Sequence, residues 1–539
     1  MKTFNSGMKA GFTRTASVLA LGLVAGAAMA DGHAAYLTDA DNVPSEDQRG
    51  GTLVAGFHIP LTHPNGAVAS GLRNIVGTQI HAGLIRLNDD YEPIPYLANE
   101  WGFSEDGLQF NVELNENAVF HDGEQITCTD VAFSIATSQA NHPFKSMFAP
   151  VSSVDGGDST SCTINLDAPH PALLMALTPG LLPIIPEHIF NDGQEMPTHP
   201  RLTQDIVGSG PFRVTEWNGQ DIVRLERFED FFIDGLPYLD EIVLDIVQDQ
   251  STLALGLESG QYDMISIWSG DDVVRFQGDD RFNVIDQGFE AIGSIPWLQI
   301  NVRDEVLSDP RVRQALWLAY DFEEYNDVVY AGQHRRQCTG IQSQSPFYNA
   351  DAECYDRDVE ASRALLAEAG YPDGLELTIS TFPGQLQTGA EVLQRQFAEA
   401  GITLNIDVKP DEVTLLNEVT AEDSPYQLSL VGLWNWGDPV IGVSRSYVCD
   451  NRRVGVAFSN MSWYCNEEVD AVFAEAAQTV DLDARRDLYF QVQDMLNADV
   501  PVIPLTNEVW YTPMQLSVQN PPNGVWGWMD SWAETWIQN

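Results

Sequence analysis

The sequence lacks the short patterns that most often mark chemistry. It contains no G-x-x-x-x-G-K-[ST], no H-E-x-x-H, no G-x-S-x-G and no EF-hand loop. Its ten histidines stand singly rather than at metal-ligand spacings. No catalytic residue, metal ligand or cofactor is therefore assigned. Positive charge is also scarce: 27 Lys and Arg face 78 Asp and Glu, for a formal net charge of −51. Such a field repels phosphate backbones and argues against nucleic acid as a partner. Its simplest meaning is solubility in a salty medium. After the first lines no apolar run is long enough to span a membrane; "PALLMALTPGLLPIIP" is cut by Pro and Gly.

What is present begins with an export signal. Lys2, Lys9 and Arg14 precede the apolar run "SVLALGLVAGAA", which ends in Ala28-Met29-Ala30 before Asp31. A basic start, a short apolar stretch and an A-x-A site describe residues 1–30 as a secretory signal peptide cleaved after Ala30. No cysteine precedes Cys128, so no thiol stands at the cut to take a lipid. The mature chain is expected to be soluble outside the cytoplasm. Six cysteines in an exported protein most simply form three disulfides, although fifteen pairings are open. They fall as neighbours along the chain: Cys128 and Cys162, Cys338 and Cys354, Cys449 and Cys465. Each neighbouring pair would close a modest loop, contributing about 3 kcal/mol in the chain-entropy model. None stands in a C-x-x-C spacing, which leaves redox or zinc roles without support.

Length sets a prior of roughly three domains at about 150 residues each, and 44% hydrophobic residues suffice for a large core. The local patterns are mixed α and β. "SDPRVRQALWLAYDFEEYNDVVY" predicts a helix with Ser308 as cap and Pro310 in its first turn. "VEASRALLAEAG" predicts another, stopped at Gly370. "EVLQRQFAEAG" ends at Gly401, and Ile402, Leu404, Ile406 and Val408 then alternate as a half-buried strand. That succession points to an α/β layer. "YQLSLVGLW" reads as a strand and "NWGDP" as the loop after it, where open α/β sheets meet their ligands. Trp434, Trp436 and Asp438 stand in that loop region.

One histidine invites a chemical reading. In "VELNENAVFHDGEQITCTDVAFS" His121 lies beside Asp122, Gly123 and Glu124. "FNVEL" alternates as a strand, Asp122-Gly123 is turn chemistry, and Thr127 with Asp130 forms a capping-box pattern for a following helix. His121 then sits in a strand-to-helix loop, and no second ligand or nucleophile accompanies it. We read it as a turn residue whose imidazole satisfies local backbone groups.

Longer stretches carry a resemblance. "LANEWGFSEDGLQFNVELNENAVFHDGEQITCTDVAFS" is similar to the signature of family 5 extracellular solute-binding proteins, the peptide-, dipeptide- and nickel-binding components of ATP-binding-cassette importers. The likeness continues through "GSGPF", "LSDPRVRQALWLAYD", "YDRDVEASRALLAEAGYPDG", "AGITLNI" and "VQDMLNADVPVIPL", in order and over nearly all of the mature chain. The resemblance implies an α/β, two-lobed periplasmic binding protein fold with an additional domain and a ligand groove between the lobes. It places the first lobe at 31–95, 204–295 and 505–539, the additional domain at 96–203 and the second lobe at 296–504. It also implies hinge closure on the ligand, a periplasmic location, permease subunits in the inner membrane as partners, and no enzymatic turnover.

In peptide-binding members of that family an aspartate after this strand pairs with the ligand's α-ammonium group, and Asp438 matches it by motif. A buried carboxylate is costly without a cation, which a peptide amino terminus supplies. Trp434 and Trp436 would wall the groove, and Arg445 is the candidate partner for a ligand carboxylate. The bland alternative has Asp438 capping a turn before Pro439 and the tryptophans simply packed. The peptide backbone would be held as an added strand. Other cargo within the family is the runner-up: an oligosaccharide stacked on some of the thirteen tryptophans, an opine-like compound, or chelated nickel. A periplasmic hydrolase is third, without a nucleophile–base motif. A monomer is expected.

Overall fold

The computed structural model describes residues 42–68 and 75–538, so the expected signal peptide and its cleavage site lie outside the described residues. Three sheets organise the chain. A seven-stranded sheet draws on three stretches far apart in sequence: Thr52–Phe57, five strands from Phe212–Asn218 to Phe282–Ile285, and Thr512–Gln515. Its inner strand Thr52–Phe57 pairs in parallel with Glu241–Ile246 and Met264–Ile265. A five-stranded sheet is built from one uninterrupted stretch, with strand order Ile402–Val408, Leu375–Thr381, Leu428–Trp434, Ser294–Ile300, Val502–Pro504. A four-stranded antiparallel sheet lies between, in sequence, at Ala98–Phe103, Gln109–Leu114, Val151–Asp155 and Ser161–Leu166.

Local sequence accounts for most of these elements. Gln109–Leu114 alternates exposed and buried residues, the period-two pattern of a strand solvated on one face. The helix Cys128–Asn141 opens with Asp130 Oδ2 accepting from the Thr127 N–H at 3.0 Å, as the capping pattern predicts. Helix Gln385–Glu399 ends before Gly401, whose φ of +84° suits glycine, and strand Ile402–Val408 follows directly. One expectation is corrected. The single helix read from Ser308 onward is two helices, Pro310–Ala319 and Phe322–Tyr330. Ser308 is not the cap; Asp309 is, its carboxylate accepting from the Arg311 N–H at 2.9 Å. The break falls at Tyr320, held in extended backbone while its hydroxyl donates to the Leu505 carbonyl at 2.7 Å, and Asp321 caps the second helix. A tertiary bond thus interrupts a continuous helical period.

His121 has the structural part expected of it. The Gly208 N–H donates to Nδ1 at 3.1 Å, so Nε2 carries the proton and donates to the Gly210 carbonyl at 3.0 Å. Burial first, and a neighbouring Arg213, hold its pKa down near 4 against the favourable carbonyl bond. The ring staples the four-stranded sheet's unit to the 208–210 turn in its neutral form. The six cysteines pair as Cys128–Cys162, Cys338–Cys354 and Cys449–Cys465. The C-terminal tail is fastened by Arg86, buried and donating to Asp530 at 2.9 Å and to Glu534 at 2.8 Å. Among the described residues no helix is long and apolar enough to cross a membrane.

Among the described residues, two stretches cross between the seven- and five-stranded sheets: residues 286–293 leading into Ser294–Ile300, and residues 505–511 leading out of Val502–Pro504. They bond to each other. The Glu508 N–H donates to the Ser294 carbonyl at 3.0 Å, and the Ser294 hydroxyl donates to the Glu508 carboxylate. Burial pushes the Glu508 pKa up. Two short crossing segments in contact make a hinge axis.

Candidate functional site

The loop after strand Leu428–Trp434 rests on that hinge. The Asn435 N–H donates to the Ile292 carbonyl at 2.8 Å and the Gly437 N–H to the Ala291 carbonyl at 2.5 Å. Asn435 Oδ1 accepts from the Gln342 N–H at 2.8 Å, while the Gln342 amide donates to the Tyr91 hydroxyl at 3.2 Å and the Glu290 carbonyl at 3.0 Å. This chain of bonds joins the five-stranded unit, the crossing segment and the first unit at one point.

Two residues of the loop have left-handed backbone: Trp436 at φ +51° and Gly437 at φ +77°. Such a conformation is costly for tryptophan and is kept where the surroundings enforce it. The Trp436 ring is buried between Phe144, 5.1 Å away by ring centroid, and Trp526 at 6.3 Å. A side chain at 437 would meet Met175 Sδ at 2.3 Å. Gly437→Ala is therefore expected to lower the melting temperature, by a destabilisation of about 1–3 kcal/mol; a melting curve unchanged from wild type would show that the loop does not need its present path.

Asp438 is buried, 4% exposed, and its carboxylate is already engaged. Arg485, on helix Leu482–Asp499, donates to both carboxylate oxygens at 2.8 Å, and the Val440 N–H donates to Oδ1 at 2.9 Å. The Arg485 guanidinium also lies over Phe347 and Tyr489, at 4.9 and 5.3 Å from their centroids. Burial opposes its charge, but Asp438 beside it holds its pKa above the ordinary arginine value. The bidentate pair closes the turn and balances its charge within the protein.

Arg445 is the opposite case. It stands in the turn Ser444–Ser446 with its guanidinium carbon 4.6 Å from the Phe144 ring centroid. Among the described residues no carboxylate forms an ion pair with it. Burial, and then the nearby Arg453, push its pKa down to about 10. Trp434 is half-buried, edge-on to Phe458 at 5.1 Å. The structure thus brings Trp436 and Arg445 to one aromatic seam with Phe144, and puts Asp438 behind them as an anchor.

Residues that sequence reasoning missed complete the surroundings. His58, at the end of strand Thr52–Phe57, meets Trp268 edge-on at 4.3 Å, and Trp268 meets Trp510 at 5.6 Å. His58 Nδ1 contacts the Ser266 carbonyl at 3.2 Å, so Nδ1 is the donor and Nε2 is a buried acceptor with no partner among the described residues. The indole N–H groups of Trp268 and Trp526 are also buried, with no acceptor among the described residues. Two clefts flank the hinge. One, of about 440 Å³, is lined by Trp268, Ser269, Asp327 and Tyr330; the other, of about 520 Å³, by Asp89, Tyr91, Glu290, Arg335 and Gln344. Among the described residues no group of three or more His, Cys, Asp or Glu could hold a metal ion. The tryptophan-rich composition largely serves the core, since Trp297, Trp317, Trp526, Trp528 and Trp532 are fully buried.

With this geometry in view, comparison with known proteins is informative. The model for bacterial extracellular solute-binding proteins, family 5 Middle, matches residues 92–452. The chain belongs to this family. The glutathione-binding protein GsiB of Pectobacterium atrosepticum is 27% identical over 461 residues, covering 81% of this chain and 84% of that protein. The substrate-binding protein CtaP of Listeria monocytogenes superposes with a TM-score of 0.80 at 25% identity, over 91% of this chain and 100% of that one. DppA of Helicobacter pylori, solved with the peptide STSA, superposes with a TM-score of 0.78 at 22% identity, over 92% and 99% of the two chains. The architecture of this family 5 protein is accordingly the mixed α/β, two-lobed periplasmic binding protein fold. The family is one of binding proteins rather than enzymes.

Proposed function

We propose that this protein is the periplasmic capture component of an ABC importer and that its cargo is a peptide. The reading is carried by the family match over residues 92–452, and beside the hinge His58 Nε2 as acceptor and the Trp268 indole N–H as donor have no partner among the described residues. A peptide backbone offers both donors and acceptors, and the surrounding rings offer apolar surface to its side chains. A glutathione-binding protein among the relatives agrees with a short peptide-like ligand. The first lobe would use the seven-stranded sheet with the four-stranded unit beside it, and the second lobe the five-stranded sheet. The two crossing segments would let the lobes close on cargo, and the closed monomer would present it to permease subunits without turnover.

Within the site, Trp434 and Trp436 would wall the groove, Arg445 would meet the ligand, and Asp438 would hold the loop in place through Arg485. A thermal-shift screen tests the cargo. Mature protein stripped of ligand by partial unfolding and refolding is mixed with di- to pentapeptides, oligosaccharides, opines, and nickel with and without histidine. Peptides are expected to raise the melting temperature, with about 2.7 kcal/mol of added stability at a hundredfold excess over Kd. Silence from peptides beside a shift with sugars, opines or nickel would overturn the peptide cargo and leave the importer role standing.

A further inference from the structure

We infer that a cavity inside the five-stranded unit, floored by Trp317, Tyr320 and Gln337, is a binding site for a small primary ammonium compound, separate from the site proposed for the cargo.

The cavity has a volume of about 130 Å³, room for several water molecules or one small organic group. Its walls come from residues 317–357 and from Leu505, and none from the loop that carries Trp434, Trp436 and Asp438. Tyr320 and Asp321, where the helical period breaks, form one side, and the strand-like run around Gln337 with the bridged Cys354 forms the other. The floor is aromatic. Trp317 stacks on Tyr355 with ring centroids 4.8 Å apart. Both tyrosine hydroxyls are already engaged, Tyr320 donating to the Leu505 carbonyl at 2.7 Å and Tyr355 to the Asn497 carbonyl at 3.3 Å. These rings therefore offer carbon surface rather than free donors.

Gln337 supplies an unmet demand. It is 2% exposed, and its Nε2 donates to the Thr339 carbonyl at 2.7 Å and the Ile341 carbonyl at 2.6 Å. Two carbonyl acceptors fix which end of the amide is nitrogen. Neither Thr339 nor Ile341 lines the cavity, so the amide turns its nitrogen away from it. Oε1 is left on the cavity side with no hydrogen-bond partner among the described residues. An acceptor requires a donor, and an acceptor set among aromatic rings suits a cationic one. The charge of the rim agrees. Arg336 pairs with Asp356 at 2.5 Å, and Arg357 with Asp321 at 3.4 Å and Glu399 at 2.7 Å. Glu323, exposed at the mouth, forms no ion pair among the described residues. Among those residues no group of three or more His, Cys, Asp or Glu gathers to hold a metal ion, so the cation that fits is organic. A primary ammonium on a short carbon chain meets all three features: an N–H for Oε1, a charge for Glu323, and a carbon body for the rings.

Indole NMR of the ligand-stripped mature protein tests the inference, at constant ionic strength, with propylammonium, tetramethylammonium and propionate as probes at millimolar concentrations. The Trp317 resonance, assigned with Trp317→Phe, is expected to move to saturation with propylammonium while those of Trp434 and Trp436 stay in place. Tetramethylammonium, which has the charge but no N–H, is expected to bind about 10- to 150-fold more weakly, the span of a hydrogen bond to a charged group. Propionate should leave the spectrum unchanged. In Gln337→Met the two cations should bind alike, propylammonium falling to the level of tetramethylammonium. Where Gln337→Met does not fold, Glu323→Gln on the exposed rim decides, with an expected weakening of propylammonium by about two- to fivefold. A Trp317 resonance that does not move, or equal affinity of the two cations for the wild-type protein, would overturn the site. So would movement of Trp434 and Trp436 in place of Trp317, or an unchanged propylammonium affinity in the deciding variant. The peptide reading stands or falls separately, since no probe here is a peptide and no altered residue lies in the loop site.

Discussion

Arg485→Met is expected to destabilise the protein by about 3–5 kcal/mol, because it leaves the Asp438 carboxylate buried without its cation. The two side chains share two hydrogen bonds of 2.8 Å and are almost inaccessible to water. Removing one member of such a pair is worse than removing both, since the desolvation cost of the survivor is no longer offset. The double variant Arg485→Met with Asp438→Asn should accordingly recover a large part of the loss. Urea unfolding of the wild type, both single variants and the double variant measures the coupling directly. If the double variant is no more stable than Arg485→Met alone, the pair is not the source of the cost. The same variants bear on recognition. Asp438→Asn is expected to weaken free-amine and N-acetylated peptides equally, since the carboxylate acts on the loop that carries Trp436 and Arg445. A selective loss for free-amine peptides would instead give Asp438 a direct contact with the ligand's ammonium.

Acidification is the second large lever. Burial lowers the pKa of His58 and His121 to about 4, and of His81, His142 and His334 to about 3, from an ordinary value of 6.5. The unfolded chain binds protons at these positions below about pH 6.5, as free imidazoles do, while the native protein does not. Stability therefore rises with pH through this window and is lost as pH falls from 6.5 toward the folded values. Each such histidine contributes a slope of about 1.4 kcal/mol per pH unit. Unfolding at pH 5.5 should take up several protons and at pH 8 almost none, readable from calorimetric enthalpies in buffers of different ionisation heat. Unfolding at pH 5.5 with no proton uptake would mean that these imidazoles are not held neutral.

Much of the fold was legible because its signals are local. Strand alternation at Ile402–Val408, the glycine stop at Gly401 and the capping pattern at Thr127 each depend on a few adjacent residues. His121 could be read as a turn residue for the same reason, although its actual partners, Gly208 and Gly210, lie far along the chain. Where a distant contact competes with a local pattern, the pattern misleads. Tyr320 sits within a helical period and still breaks it, because its hydroxyl reaches Leu505.

The candidate site divides along the same line. Motif and strand position were enough to single out Trp434, Trp436, Asp438 and Arg445, because a loop at the carboxyl end of a strand is a local feature. What each side chain does there was decided by partners that no spacing announces. Arg485 comes from the helix Leu482–Asp499 and neutralises Asp438; Phe144 comes from a different sheet's unit and meets Arg445. The sequence by itself determined the α/β elements, the family and the loop. Only the tertiary structure decided which charges are paired, because charge balance is a property of neighbours in space, and a buried group's chemistry follows whatever is packed against it.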